Sequence, residues 1–119
     1  MITIYHHPAC SKSREALQLL EESGQPFQVR LYLEHPLSVE ELTTLQNKLH
    51  LPAISMVRVK EPLYKTLCAD RHPDEKELLT IISRYPALME RAIVEKDDQA
   101  VIARPPDNIY SILQAGYST

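Results

Sequence analysis

The apolar residues of this chain change period twice between residues 2 and 33, and that succession restricts the fold. Ile2, Thr3, Ile4 and Tyr5 form a β-branched and aromatic run that reads as a short buried strand. From Ser11 onward Ala16, Leu17, Leu19 and Leu20 recur at helical spacing, and Gly24 stands where such a helix would stop. FQVRLYL, residues 27–33, then sets Phe27, Val29, Leu31 and Leu33 against Gln28, Arg30 and Tyr32. This alternation predicts a second strand with one covered face.

The remainder is punctuated by prolines. Ser38 with Glu41 forms a capping-box pattern ahead of Leu42, Leu45 and Leu49. Pro52 and Pro62 bracket AISMVRVKE, which reads as a short helical or irregular piece. Asp74 with Glu77 opens another helix, with Leu78, Ile81 and Ile82 facing inward and Pro86 ending it. RAIVE and AVIAR, joined by KDDQ, predict a β-hairpin whose turn contains no glycine. Pro105 and Pro106 open a last helix carrying Ile109, Ile112 and Leu113. The order is β-α-β, helical pieces, then β-β-α. It fits a single α/β domain over 1–119 with a thioredoxin-like sheet and a helical insertion at about 38–85.

Composition excludes several classes. A length of 119 residues suits one domain, and a net charge of -3 gives no general attraction to nucleic acid or anionic lipid. No apolar run reaches membrane-spanning length, and MITIYHH lacks the character of a signal peptide. The expected location is the cytoplasm. Two glycines cannot furnish a Gly-rich phosphate loop or a dinucleotide fingerprint. Two cysteines far apart, Cys10 and Cys68, make neither a disulfide scaffold nor a zinc site. His35, His50 and His72 are not at metal-ligand spacing, so no metal is expected.

The chemistry concentrates in HHPACSKSRE, residues 6–15. Cys10 would sit at the mouth of the first helix, where the partial positive charge and free N–H groups favour an anionic sulfur. Arg14 or a protonated His6 would add to this effect. The same N–H groups can hold an oxyanion bonded to the sulfur. Cys10-Ser11-Lys12-Ser13 is a redox pair lacking its second thiol, so a resolving thiol must come from elsewhere. A cysteine-phosphatase loop, C-x5-R, is excluded because its arginine position is Ala16. The bland alternative is a buried, inert cysteine.

ITIYHHPACSKSRE resembles the start of the ArsC family, the glutaredoxin-coupled arsenate reductases, whose pattern H-x3-C-x3-R falls on His6, Cys10 and Arg14. The resemblance extends over about 1–114, through LYLEHPLSVEEL, VRVKEPLYKTL, LMERAIV and IARPPDNIYSIL. It implies a thioredoxin-like fold and an attacking Cys10 supported by His6. It also implies three arginines, Arg58, Arg91 and Arg104, that hold arsenate. Ser13 and Arg14 are the expected supports of the thiolate. Glutathione would act as co-substrate and glutaredoxin as partner, with no metal or bound cofactor and no nucleic-acid or membrane partner. Where the family commonly carries Arg-Pro, this chain has Arg91-Ala92. A non-proline cis bond costs about 2.5–4 kcal/mol, so a trans bond is expected there unless the segment is tightly held.

Two other readings compete: a regulatory module of the Spx type, and a monothiol carrier of glutathione adducts that reduces no arsenate. His7 is expected to be a loop residue without a role, and Cys68 to pack as a small apolar residue.

Overall fold

In the computed structural model, which describes residues 1–115, strand β1 (Ile2–His6) is an inner strand of a mixed sheet of order β2-β1-β3-β4. It runs parallel to β2 (Phe27–Leu31), with Ile2 opposite Phe27 and His6 opposite Leu31. It runs antiparallel to β3 (Ile93–Lys96), with Ile2 opposite Lys96 and Tyr5 opposite Ile93. β3 returns as β4 (Gln99–Ile102). The turn needs a left-handed residue, and Asp97 supplies it at φ 54.

Helix α1 (Ser11–Ser23) makes the crossover from β1 to β2. It ends as its sequence requires: Gly24 takes the left-handed conformation at φ 74 and its N–H donates to the Glu21 carbonyl. Ala16 and Leu20 of α1 pack on Ile2, Ile4, Ala92, Val94 and Ala103, together with Ile109 and Leu113 of the C-terminal helix (Ile109–Ala115). This core joins the two sequence-distant halves of the sheet.

The chain divides into two compact units, one of Met1–His35 with the segment from Arg91 onward, the other Pro36–Glu90. The insertion expected at about 38–85 falls within the second. There α2 (Val39–Leu49) starts on the Ser38–Glu41 capping box and buries Leu42, Leu45 and Leu49. A short helix, α3 (Pro62–Cys68), follows with proline in its first turn. Helix α4 (Glu75–Arg84) starts on the Asp74–Glu77 capping box, buries Leu78, Leu79 and Ile82, and packs against α2. Among the described residues no helix is long and apolar enough to cross a membrane.

Three expectations are corrected. The face of β2 predicted to be covered is partly open, with Val29 44% and Leu33 38% exposed. β2 is an edge strand, and alternation fixes which residues share a face without fixing what lies over it. The strand also stops at Leu31, and Tyr32, assigned to the polar face, is buried. The Arg91-Ala92 bond is cis, as is Arg104-Pro105. Ala92 is fully buried and its carbonyl accepts the Ala103 N–H at 2.7 Å, so the segment is held on both counts.

Candidate active site

Cys10 is the N-cap of α1. Its backbone is extended at φ -97 and ψ 123, and its carbonyl accepts the first helical hydrogen bond, from the Arg14 N–H at 2.9 Å. Its side chain makes no capping bond, and no acidic residue occupies the first turn. The first-turn N–H groups are the donors an anion would take there. Cys10 is a free cysteine and the residue is half-buried.

The loop from His7 to Ala9 is stapled to the helix it precedes. The Cys10 N–H donates to the His7 carbonyl at 3.0 Å. The Ala9 N–H donates to His7 Nδ1, and the His7 N–H donates to Ser13 Oγ at 3.0 Å. Arg14 Nη1 donates to the Pro8 carbonyl at 2.9 Å. The His7 ring meets the Tyr32 ring edge-on, with centroids 6.4 Å apart. His7, read from sequence as a residue without a role, is thus the hub that fixes the cysteine. No spacing signals this, because most of its bonds are made by the backbone. Arg14 is exposed and clasps the loop through this bond.

His6 ends β1 and is buried, with Nδ1 2.7 Å from Ser13 Oγ. Burial pushes its titration below the ordinary histidine value, and the charges of His7 and Arg14 push the same way. A neutral His6 replaces the cationic one considered from sequence.

The hairpin leads to two of the arginines. Ile93 stands opposite Ile102, and one step outward the Ala103 N–H bonds the Ala92 carbonyl. Arg91 precedes Ala92 and Arg104 follows Ala103, so both lie just beyond this end of the hairpin. β1 meets the same end of the hairpin, since Tyr5 is opposite Ile93 and His6 follows. The Cys10 loop and two guanidinium-bearing residues therefore leave the sheet at one end. Arg91 is half-buried and Arg104 exposed. Arg58 lies in the second unit, where its Nη1 pairs with Glu61 Oε1 at 2.9 Å and its N–H donates to the Leu88 carbonyl.

Elsewhere the chemistry is sparse. Cys68 is 2% exposed, at the end of α3. A shallow cleft between α1 and the segment after β4 is lined by Glu15, Glu22 and Asp107, a charge set that repels an oxyanion. Among the described residues no three or more His, Cys, Asp or Glu side chains gather as metal ligands would.

A mixed α/β sheet of thioredoxin-like type, with one cysteine capping its first helix, defines the class of protein. The chain belongs to the ArsC family, whose sequence profile matches residues 5–112. An arsenate reductase of Neisseria meningitidis serogroup A is 46% identical over 114 residues, covering 94% of this chain and 97% of its own. One from Haemophilus influenzae is 45% identical over 115 residues, covering 94% and 98%. The solved structure of an arsenate reductase from Vibrio cholerae superposes with a TM-score of 0.89 at 44% identity, covering 93% of this chain and 96% of that one.

Proposed function

We propose that this protein reduces arsenate to arsenite through a covalent adduct on Cys10, with glutathione and a glutaredoxin supplying the electrons. The observation that supports the reading is that Cys10, at the mouth of α1, and the chain positions of Arg91 and Arg104 all follow from the same end of the sheet. Family membership and arsenate-reductase relatives at 45–46% identity support the choice of oxyanion.

Arsenate is tetrahedral and carries about two negative charges near neutral pH. A thiolate approaching it meets like charge, which guanidinium groups offset because they stay cationic and present planar donor forks. Arg91 and Arg104 take this role, and the α1 N–H groups receive the oxygens nearest the sulfur. The Cys10 sulfur forms a bond to arsenic, and one arsenate oxygen leaves as water after protonation. Glutathione then attacks the arsenic of the adduct and displaces a second oxygen as water, and a glutaredoxin thiolate attacks the glutathione sulfur, breaking its bond to arsenic. Glutathione and glutaredoxin end joined in a mixed disulfide, the electron pair left on arsenic takes it from the +5 to the +3 state, and water cleaves the Cys10–arsenic bond to release arsenite and restore the thiol. An external thiol is required by the sequence C-S-K-S, which offers no local partner. The Arg58–Glu61 pair, in the second unit, is not part of the geometry on which this reading rests.

The test is a coupled assay with arsenate, glutathione, glutaredoxin, glutathione reductase and NADPH. NADPH is expected to be consumed only when arsenate is present, and Cys10→Ser abolishes the consumption. Absence of arsenate-dependent turnover by the wild-type protein would leave the Spx-type or monothiol-carrier reading in its place.

A further inference from the structure

His6 and Ser13 are both buried, and their side chains are bonded to each other. A buried polar group needs all its strong hydrogen bonds made, so the direction of each proton can be deduced. The Ser13 hydroxyl has one hydrogen to give. Its oxygen already accepts the His7 N–H at 3.0 Å. The carbonyl four residues back, where a helical serine often donates, belongs to Ala9, which lies outside α1. The acceptor within reach is His6 Nδ1, at 2.7 Å. A ring carrying hydrogen on Nδ1 would point two donors at each other, or leave the Ser13 hydrogen buried with no acceptor. The ring proton therefore belongs on the other nitrogen.

We propose that Ser13 is a positioning residue that fixes His6 as the neutral Nε2–H tautomer, leaving one uncharged N–H donor on the histidine that ends β1 before the Cys10 loop. A use of that donor at Cys10 rests on the reading in the preceding subsection; the tautomer does not. Enclosure of the ring and the charges of His7 and Arg14 disfavour its cationic form, in agreement with this assignment. Ser13 thereby ties together the end of β1, the His7 amide and the first turn of α1. The thiolate support expected of Ser13 from sequence becomes indirect, acting through His6 and the loop. A fixed Nε2–H ring cannot act as a base through Nδ1, because that lone pair is occupied by the hydroxyl.

The experiment is two-bond 15N–1H correlation NMR of the histidine rings in the full chain near pH 7, with His6 assigned by His6→Gln. His6 is expected as a single Nε2–H form with Nδ1 bearing the resonance of an unprotonated, hydrogen-bonded nitrogen. Ser13→Ala is expected to give mixed tautomers, and Ser13→Thr, which keeps the hydroxyl, to restore the single form. In the coupled assay Ser13→Ala lowers kcat/KM about tenfold, the loss of about one hydrogen bond. An Nδ1–H or cationic His6 in the wild-type protein overturns the proposal whether or not the variants fold. So does a Ser13→Ala ring that keeps the pure Nε2–H form. If the tautomer is as stated and arsenate is not reduced, the function is wrong and the Ser13–His6 assignment stands.

Discussion

The Ala103 N–H donates to the Ala92 carbonyl at 2.7 Å, one step beyond the last paired residues of the hairpin. Both alanines are fully enclosed in the core that α1 and the C-terminal helix build on the sheet. Small side chains at these two positions let helices and sheet approach closely, and the bond continues the ladder to the point where Arg91 and Arg104 emerge. The packing of one unit thus fixes the backbone on either side of which Arg91 and Arg104 stand, at the end of the sheet where β1 runs on toward Cys10. The proposed use of these cations depends on their being in place before the anion arrives.

Removing either cation is expected to weaken arsenate handling. A charge-assisted hydrogen bond is worth about 1.5–3 kcal/mol, so Arg91→Ala or Arg104→Ala lowers kcat/KM for arsenate by about 10- to 100-fold. Arg71, exposed and paired with Glu77, provides the control, and Arg71→Ala stays within about twofold of wild type. Steady-state kinetics across arsenate concentrations checks this. Equal effects of all three substitutions would show that the loss is one of general charge.

The two cysteines are expected to differ sharply in reactivity. Cys10 is half-buried at a helix N-terminus, whereas Cys68 is enclosed at the end of α3 beside Tyr64. Mass spectrometry after brief iodoacetamide treatment is expected to show one modified thiol in the native protein, at Cys10, and two in urea. Arsenate or sulfate slows the native reaction by occupying the same mouth. Prior labelling of Cys68 would mean that the second unit opens more readily than its burial indicates.

Much of this was legible in the sequence. Both capping boxes, Ser38–Glu41 and Asp74–Glu77, lie where their local pattern put them, because a cap is a contact between residues three apart. Gly24 ends α1 for an equally local reason. What depended on remote packing was not legible. The openness of Val29 depends on what covers an edge strand, and the burial of Tyr32 on where the strand stops. Helix α3, too short to show a clear period, escaped for want of signal. Cysteine and arginines were identifiable as chemistry. The hydroxyl of Ser13 meeting a histidine seven residues earlier across a loop had no signature in spacing.

Stability is expected to depend on pH through His6. Its folded-state titration lies below the ordinary value of 6.5 because burial disfavours the cation. Between the folded value and 6.5 the unfolded chain binds more protons than the native one, so stability rises with pH in that window. The contribution is fully present above the unfolded value and is lost as pH falls through the folded one. Urea midpoints measured from pH 5 to 8 should fall toward acid in the wild-type protein. The fall should be shallower in His6→Gln and unchanged in His72→Gln, whose histidine is exposed. Equal slopes in all three proteins would assign the pH dependence to other groups.

Gly24 offers a test of backbone conformation alone. Its φ of 74 lies in the left-handed region, and an added Cβ there would meet no heavy atom within 4 Å. Any penalty for Gly24→Ala therefore comes from conformation rather than from a clash. The left-handed state costs an L-residue about 1–2 kcal/mol, and Gly24→Ala is expected to lose about that much in urea unfolding. Gly24→Asn should lose less, because asparagine tolerates this region better. Because Gly24 closes α1 at the end opposite Cys10, the lesion should leave the rate of Cys10 alkylation unchanged while lowering the unfolding midpoint. Slower alkylation in Gly24→Ala would show instead that the two ends of α1 are coupled, and that the cysteine owes its setting to more than the loop bonds around His7 and Ser13.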